Sequence, residues 1–315
     1  MPVTPAWEGV YPALLTPFTA DDAVDSALFE LNIHAQLEAG VHGLIIGGSL
    51  GEASTLTRPE KLGLLQTALN TTAGRVPNER VPVIMNIAEQ ATREAIVCAR
   101  EAEKNGANGL MLLPPMRYFA DARETVAFFG AVAKATSLPI MIYNNPVDYK
   151  IMTTVAMFSE LAELPNIQAV KESTRDLTNI TRMRNAFGDR FKLLCGVDTL
   201  AFEALLLGAD GWVAGLVDAF PAETVAIYEL TKAGQLDTAR TIYRWFMPLL
   251  ELDIHPKLVQ YIKLVATATG ISSEYVRAPR LTLDPVEREQ IWQIIQKQIA
   301  KRPVIGELRY RNSVA

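Results

Sequence analysis

A chain of 315 residues is long for one ordinary domain and suits one barrel plus an appendage. Hydrophobic residues make up 49% and charged residues 21%, the balance of a globular protein with a large core. The net charge is −5 and no basic block stands out, which disfavours nucleic-acid binding because phosphate neutralisation needs clustered Lys and Arg. No stretch approaches the roughly 18 uninterrupted apolar residues of a membrane span. Met1–Glu8 has neither the basic start nor the apolar run of a secretory signal. Cys98 and Cys195 cannot make a disulfide framework and show no metal-ligand spacing, so a reducing cytoplasm is the expected location.

Short apolar, β-rich runs recur in chain order: Gly9–Phe18, Gly43–Gly48, Val81–Ile87, Gly109–Pro114, Pro139–Asn144, Ile167–Ser173, Lys192–Gly196 and Gly211–Gly215. Stretches with helical periodicity, such as Ser26–Ala39 and Arg93–Asn105, lie between them. Near-continuous apolar strands alternating with amphipathic helices imply a parallel sheet covered by helices, and eight such units predict a closed (β/α)8 barrel. Gly40 and Gly106 stand where the helices before strands two and four need a left-handed stop. After Pro221 the strand signal disappears. Glu223–Lys232, Leu236–Leu252, His255–Thr267 and Pro285–Lys301 read as helices. The expected division is a barrel over 1–222 carrying the active site and a C-terminal helical extension over 223–315, in which Trp245, Phe246, Met247, Leu249 and Leu250 serve packing or subunit contact.

In such barrels the reacting groups lie at the C-terminal ends of the strands. Strand six ends Val170-Lys171-Glu172-Ser173. An inward-facing ammonium there is partly desolvated, which favours the neutral, nucleophilic amine. A lysine snorkelling outward at the rim is the competing reading. Strand five ends Tyr143-Asn144-Asn145-Pro146, bringing a phenol to the neighbouring strand, where it serves either packing or proton transfer. Strand two ends Gly47-Gly48-Ser49-Leu50-Gly51-Glu52. It lacks the Gly-Lys-Ser/Thr ending of a phosphate loop, but its closely spaced glycines can converge N–H groups on a carboxylate.

These motifs resemble those of the dihydrodipicolinate synthase / N-acetylneuraminate lyase family of class I aldolases. Gly48-Ser49-Leu50-Gly51-Glu52 is similar to the family's carboxylate loop, Tyr143-Asn144-Asn145-Pro146 to its Y-N-x-P strand, and Val170-Lys171-Glu172 to its imine motif. Gly196-Val197-Asp198 and Gly211-Trp212-Val213-Ala214-Gly215 fall where the family has strands seven and eight. The resemblance implies a covalent imine on Lys171, with Tyr143 and Ser49 as catalytic partners. It implies substrate contacts from Gly48, Ser49, Leu50, Asn145, Val213 and Ala214, no cofactor and no metal. It implies a homotetramer built from dimers acting on a small molecule, with neither nucleic acid nor membrane as partner. Glu52 is expected to orient its loop, and His34, His42 and His255 to be structural or exposed. Asp198 and Asp148 stay open between substrate contact and surface charge.

Two departures narrow the expected substrate. Members that make dihydrodipicolinate usually carry an arginine after Y-N-x-P, which holds the second substrate's carboxylate; here Asp148 stands at its place and would repel that group. The tyrosine these members carry after strand four is replaced by Met116. The sugar-contacting run of sialic acid lyases is also unmatched. The pattern is most similar to that of Δ1-pyrroline-4-hydroxy-2-carboxylate deaminases, then to that of 2-keto-3-deoxy-L-arabonate dehydratases. Two further alternatives are a metal-dependent aldolase on the same barrel and a non-catalytic 2-oxo acid binding protein.

Overall fold

The strands form where β-branched and long aliphatic residues dominate short runs, and nearly every position along them is buried. β1 (Gly9–Pro12), β2 (Leu44–Ile46), β3 (Val83–Ile87), β4 (Gly109–Leu112), β5 (Ile140–Asn144), β6 (Ile167–Glu172), β7 (Lys192–Cys195) and β8 (Gly211–Ala214) occupy the eight predicted runs. In this computed structural model, which describes residues 3–75, 80–115 and 117–305, they make one parallel sheet in the order β1-β8-β7-β6-β5-β4-β3-β2. The seam between β1 and β2 closes through His42 N donating to Val10 O and Leu14 N donating to Ile45 O, both at 2.9 Å. The result is the expected (β/α)8 barrel.

The barrel helices are α1 (Ser26–Ala39), α2 (Arg58–Ala73), α3 (Thr92–Lys104), α4 (Ala122–Ala133), α6 (Val155–Leu161), α7 (Thr178–Phe187) and α8 (Ala201–Leu206), with a one-turn α5 (Pro146–Tyr149) directly after β5. Gly40 ends α1 at φ +84°, and Gly106, just past α3, sits at +89°, so both predicted stops are left-handed. The bottom of the barrel is sealed by Trp7, whose ring stacks on Tyr11 and whose Nε1 donates to Gln168 at 3.1 Å. His42 belongs to this lower end: its Nδ1 accepts from Val10 N at 3.1 Å and its ring meets Tyr228 edge-on.

Helix α9 (Pro221–Lys232), which the sequence reading placed in the extension, follows β8 and packs on β1, β8 and α1, the place of an eighth barrel helix. Beyond it come α10 (Leu236–Leu250), α11 (Leu258–Ala268) and α12 (Pro285–Ile299). Phe246, Leu249 and Leu250 are buried, and Trp245 and Phe246 pack against Phe220, so at least these residues of the aromatic stretch pack within the chain. No described helix is long and apolar enough to cross a membrane.

A charged cluster ties the extension to the loop after β2. Glu52 accepts from Lys263 Nζ at 2.6 Å and from Arg277 N at 3.1 Å, and the Glu52 and Lys263 side chains are fully buried. Lys263 and Arg277 also lie over the Phe18 ring, each 4.4 Å from its centre. Glu52 thus orients its loop, as expected. Removing one member of such a buried pair costs about 3–5 kcal/mol, because the other charge is stranded.

Arg277 also reaches Glu60, which caps α2 by accepting from Thr57 N at 2.8 Å. Hydrogen bonding from Arg277 holds the Glu60 carboxyl down at about 2 against an ordinary 4.5. A carboxyl whose folded value is depressed contributes stability that is complete above its unfolded pKa and fades as pH falls toward the folded one. Glu60→Gln keeps the capping geometry and removes the charge. It is expected to destabilise by roughly 1 kcal/mol at neutral pH. In urea titrations that difference should shrink from about pH 5 to about pH 3; a gap independent of pH would contradict the assignment.

Candidate active site

Strand alternation decides which side chains meet. Ala169 and Lys171 share one face of β6, and Glu172 takes the other, where its carboxylate accepts from Asn179 on α7 at 2.6 Å. Lys171 therefore points into the barrel, which settles its orientation against the outward reading. Tyr143 pairs with it across the sheet, and the lysine Nζ lies 4.1 Å from the centre of the tyrosine ring. Asn144, one residue past Tyr143 and so out of phase with it, turns outward to bond both the N–H and the C=O of Thr153.

Around Lys171 the C-terminal strand ends enclose one cavity. It is lined by Gly48, Ser49 and Leu50 after β2, Tyr143, Asn145, Asp148 and Tyr149 from β5 and α5, Ser173 and Arg175 after β6, Gly196 after β7, and Val213 and Gly215 at β8. Of the expected substrate contacts, Gly48, Ser49, Leu50, Asn145 and Val213 line it. Ala214 does not: it is fully buried on the opposite face of β8, and Gly215, in phase with Val213, takes that place. Met116 lies outside the described residues.

Burial lowers the Lys171 pKa from its ordinary value, with nearby Tyr149, Asp253 and Asp198 pulling the other way. More of the amine is neutral at a given pH than in a free lysine, as a nucleophile requires. Burial pushes the Tyr143 phenol up to about 12 and Tyr149 further still, so both stay protonated at neutral pH and can donate hydrogen bonds. Asn145 Nδ2 donates to Tyr143 Oη at 3.2 Å and to Asp148 at 2.7 Å, fixing both. Ser49 Oγ is hydrogen-bonded to Tyr149 Oη, where the sequence reading had Ser49 working with Tyr143. The two phenols stand edge to face, ring centres 5.4 Å apart, so the expected pair becomes a row of Ser49, Tyr149 and Tyr143.

In the loop after β2, neither the Ser49 nor the Leu50 N–H is taken by another described residue, leaving both for an anion. Thr16 Oγ1 donates to Gly51 O at 2.7 Å, and a Cβ on Gly51 would stand 2.7 Å from Leu14 O, so the loop closes only with glycine there. Three non-glycine residues in loops at this mouth, Glu52, Lys150 and Arg175, hold φ near +60° (57°, 63° and 62°). Such strain persists where surrounding contacts over-determine the backbone, often at functional sites.

Asp198 is neither a surface charge nor an open contact. It is buried, and its carboxylate accepts from Trp212 Nε1 at 2.9 Å, Leu216 N at 2.7 Å and Gly215 N at 3.1 Å, stitching the β7 loop to β8. The sequence reading missed Tyr149, Gly196 and, from the extension, Asp253, Ile254 and Leu258, which close the cavity from above. Asp253 had a faint signal, a carboxylate in the short break between two predicted helices. Among the described residues no group of three or more His, Cys, Asp or Glu is placed to hold a metal.

Comparison with known proteins agrees with this geometry. Residues 6–298 match the model of the Dihydrodipicolinate synthetase family. A 4-hydroxy-tetrahydrodipicolinate synthase from Exiguobacterium sibiricum is 37% identical over 88% of this chain and 92% of its own length. One from Archaeoglobus fulgidus is 31% identical over 92% and 98%. Among solved structures, dihydrodipicolinate synthase from Aquifex aeolicus superposes with a TM-score of 0.86 at 26% identity, covering 92% of this chain and 97% of that one. A prophage protein of the dihydrodipicolinic acid synthase family from E. coli K12, solved with pyruvate, gives 0.85 at 25% identity, over 93% and 99%. With its lysine and tyrosine at adjacent strand ends of a (β/α)8 barrel, this chain belongs to the dihydrodipicolinate synthetase family of class I Schiff-base lyases.

Proposed function

We propose that this lyase is a deaminase that converts Δ1-pyrroline-4-hydroxy-2-carboxylate to 2,5-dioxopentanoate and ammonia. The observation that carries the reading is Asp148. It lines the cavity, pinned by Asn145, at the place where dihydrodipicolinate-forming members carry an arginine for the second substrate's carboxylate. Asp253 lines the same cavity, so two carboxyl groups with the single exposed Arg175 make a poor seat for a second carboxylate among the lining residues. The reading departs here from the names of the relatives.

In this mechanism the Ser49 and Leu50 amides hold the substrate carboxylate, preorganised donors needing little rearrangement. Neutral Lys171 adds to C2 of the cyclic imine, and transimination opens the ring, leaving the substrate nitrogen as an amine on C5. The protonated lysine imine draws electrons from C3, whose proton is lost, and the 4-hydroxyl departs as water. Tautomerisation gives an imine at C5, whose hydrolysis releases ammonia. Hydrolysis of the lysine imine then frees 2,5-dioxopentanoate. The iminium does the polarising, so the scheme needs neither cofactor nor metal. A homotetramer in the cytoplasm belongs to the same proposal.

Purified protein given the pyrroline should release ammonia and 2,5-dioxopentanoate in equal amounts. Its kcat/KM should exceed that for pyruvate plus aspartate semialdehyde by about 10²-fold or more, the scale of a like-charge mismatch. Faster turnover of the latter pair would return the chain to the relatives' activity. Faster turnover of 2-keto-3-deoxy-L-arabonate would make it a dehydratase.

A further inference from the structure

Elimination from a lysine-bound imine needs a base for the proton on C3 and an acid for the departing hydroxyl. The cavity offers few candidates. Tyr143 and Tyr149 are protonated phenols at neutral pH and cannot accept a proton. Ser49 is engaged with Tyr149, Asp148 is held by Asn145, and Asp198 is sealed by N–H groups. Asp253 remains. It sits in the short turn Glu251–Ile254 between α10 and α11, outside the barrel in sequence but over its mouth in space.

The Asp253 carboxyl is partly exposed through the cavity it lines. Its Oδ2 accepts from Asp198 N at 3.3 Å, a long bond, and no ion pair to a described residue holds it. Its Oδ1 lies over Gly215, where an added Cβ would stand 2.8 Å away. The charged and titratable groups that face it are Asp198, Lys171, Arg175, Tyr143 and Cys195. Lys171, the expected covalent anchor, is thus among its electrostatic neighbours.

We propose that Asp253 is the acid–base residue that takes the C3 proton from the lysine-bound substrate and returns it to the departing hydroxyl. The step balances without another reactant. The C3–H bond breaks to the Asp253 carboxylate, and its electron pair forms the C2=C3 enamine and neutralises the iminium nitrogen. The enamine then expels the C4 oxygen, which takes the proton from the Asp253 carboxylic acid and leaves as water, forming C3=C4 and restoring the iminium. Burial, and after it the Asp198 carboxylate, push the Asp253 pKa up to about 8, so both forms are populated near neutrality. A group that must both accept and return a proton works best there.

The inference rests on the Schiff-base elimination proposed above, but its test does not need the native substrate. Pyruvate, a minimal 2-oxo acid, forms an enamine on the lysine and then exchanges methyl protons with D2O. Two readouts are compared in wild type and Asp253→Asn: borohydride trapping of pyruvate on Lys171, and deuterium entry into pyruvate. Asparagine can still accept from Asp198 N, so a purely structural role survives the change. The expected result is near wild-type trapping with exchange slowed by about 10²-fold, within the usual range for removing a general base. Asp253→Glu should recover part of the exchange. Unchanged exchange, or trapping and exchange falling by the same factor, overturns the proposal. Should the asparagine variant fail to fold, wild-type protein decides. Exchange per trapped enzyme that rises through pH about 8 supports Asp253, and exchange that follows trapping at every pH overturns it. Failure of the pyrroline to react would leave these outcomes readable, so the two proposals fail separately.

Discussion

Lys171→Ala is expected to abolish borohydride trapping of any 2-oxo acid and to lower turnover on the order of 10⁵-fold or more, the scale seen when a covalent nucleophile is removed. The lysine points into the barrel beside Tyr143, and no other described lysine lines the cavity. The fold should not suffer in proportion. Lys171 is 7% exposed, and burial disfavours its charge, so its ammonium costs stability in the free protein. Thermal melting should show a Tm unchanged or raised, a stability held back by an active-site group. Activity retained in the variant, or activity lost together with a collapsed Tm, would contradict a nucleophilic role.

Gly196→Ala is expected to lower activity by about 10²-fold although it adds a single methyl group. The backbone there is not left-handed, so the argument is one of space alone. A Cβ at residue 196 would stand 2.1 Å from Ser173 Oγ and 2.7 Å from both Cγ and Cε of Lys171. The lysine stem runs directly across the glycine, and the methyl must push it aside. A displacement of the order of 1 Å at a reacting group costs about 10²-fold in rate. The borohydride-trapping rate should fall with turnover, because the attacking amine itself has moved. Loss of turnover with trapping unimpaired would mean that the lysine tolerates the methyl and that the defect lies elsewhere.

Both residues show how unevenly the site can be read along the chain. Lys171 is visible because a cation at the end of an apolar strand breaks the local pattern. Tyr143 is visible because its motif directly precedes a proline at a strand end. Gly196 lies in a recognisable run, yet nothing local says that another strand's lysine crosses it. Tyr149 sits three residues beyond a quoted motif, and the single turn of α5 swings it back over Ser49, a hundred positions earlier. Asp198 shows the reverse case: a carboxylate that looks free in sequence is consumed by N–H groups from the next strand.

Periodicity along the chain was enough for the eight strands, their helices and the barrel, because runs of apolar residues and glycine stops act over a few positions. Residue types at the strand ends, read with the family resemblance, singled out the glycine-rich loop after β2 and the lysine–tyrosine pair. What folding alone decided is which residues face one another across the mouth: Tyr149 on Ser49, Gly196 beneath Lys171, and Gly215 in place of Ala214. It also brought Asp253 from beyond the barrel to the side of the lysine, since the turn between α10 and α11 folds back over the strand ends. Such contacts join positions tens to hundreds of residues apart, and no local preference encodes them; they follow from closing the barrel and docking the helices that cap it.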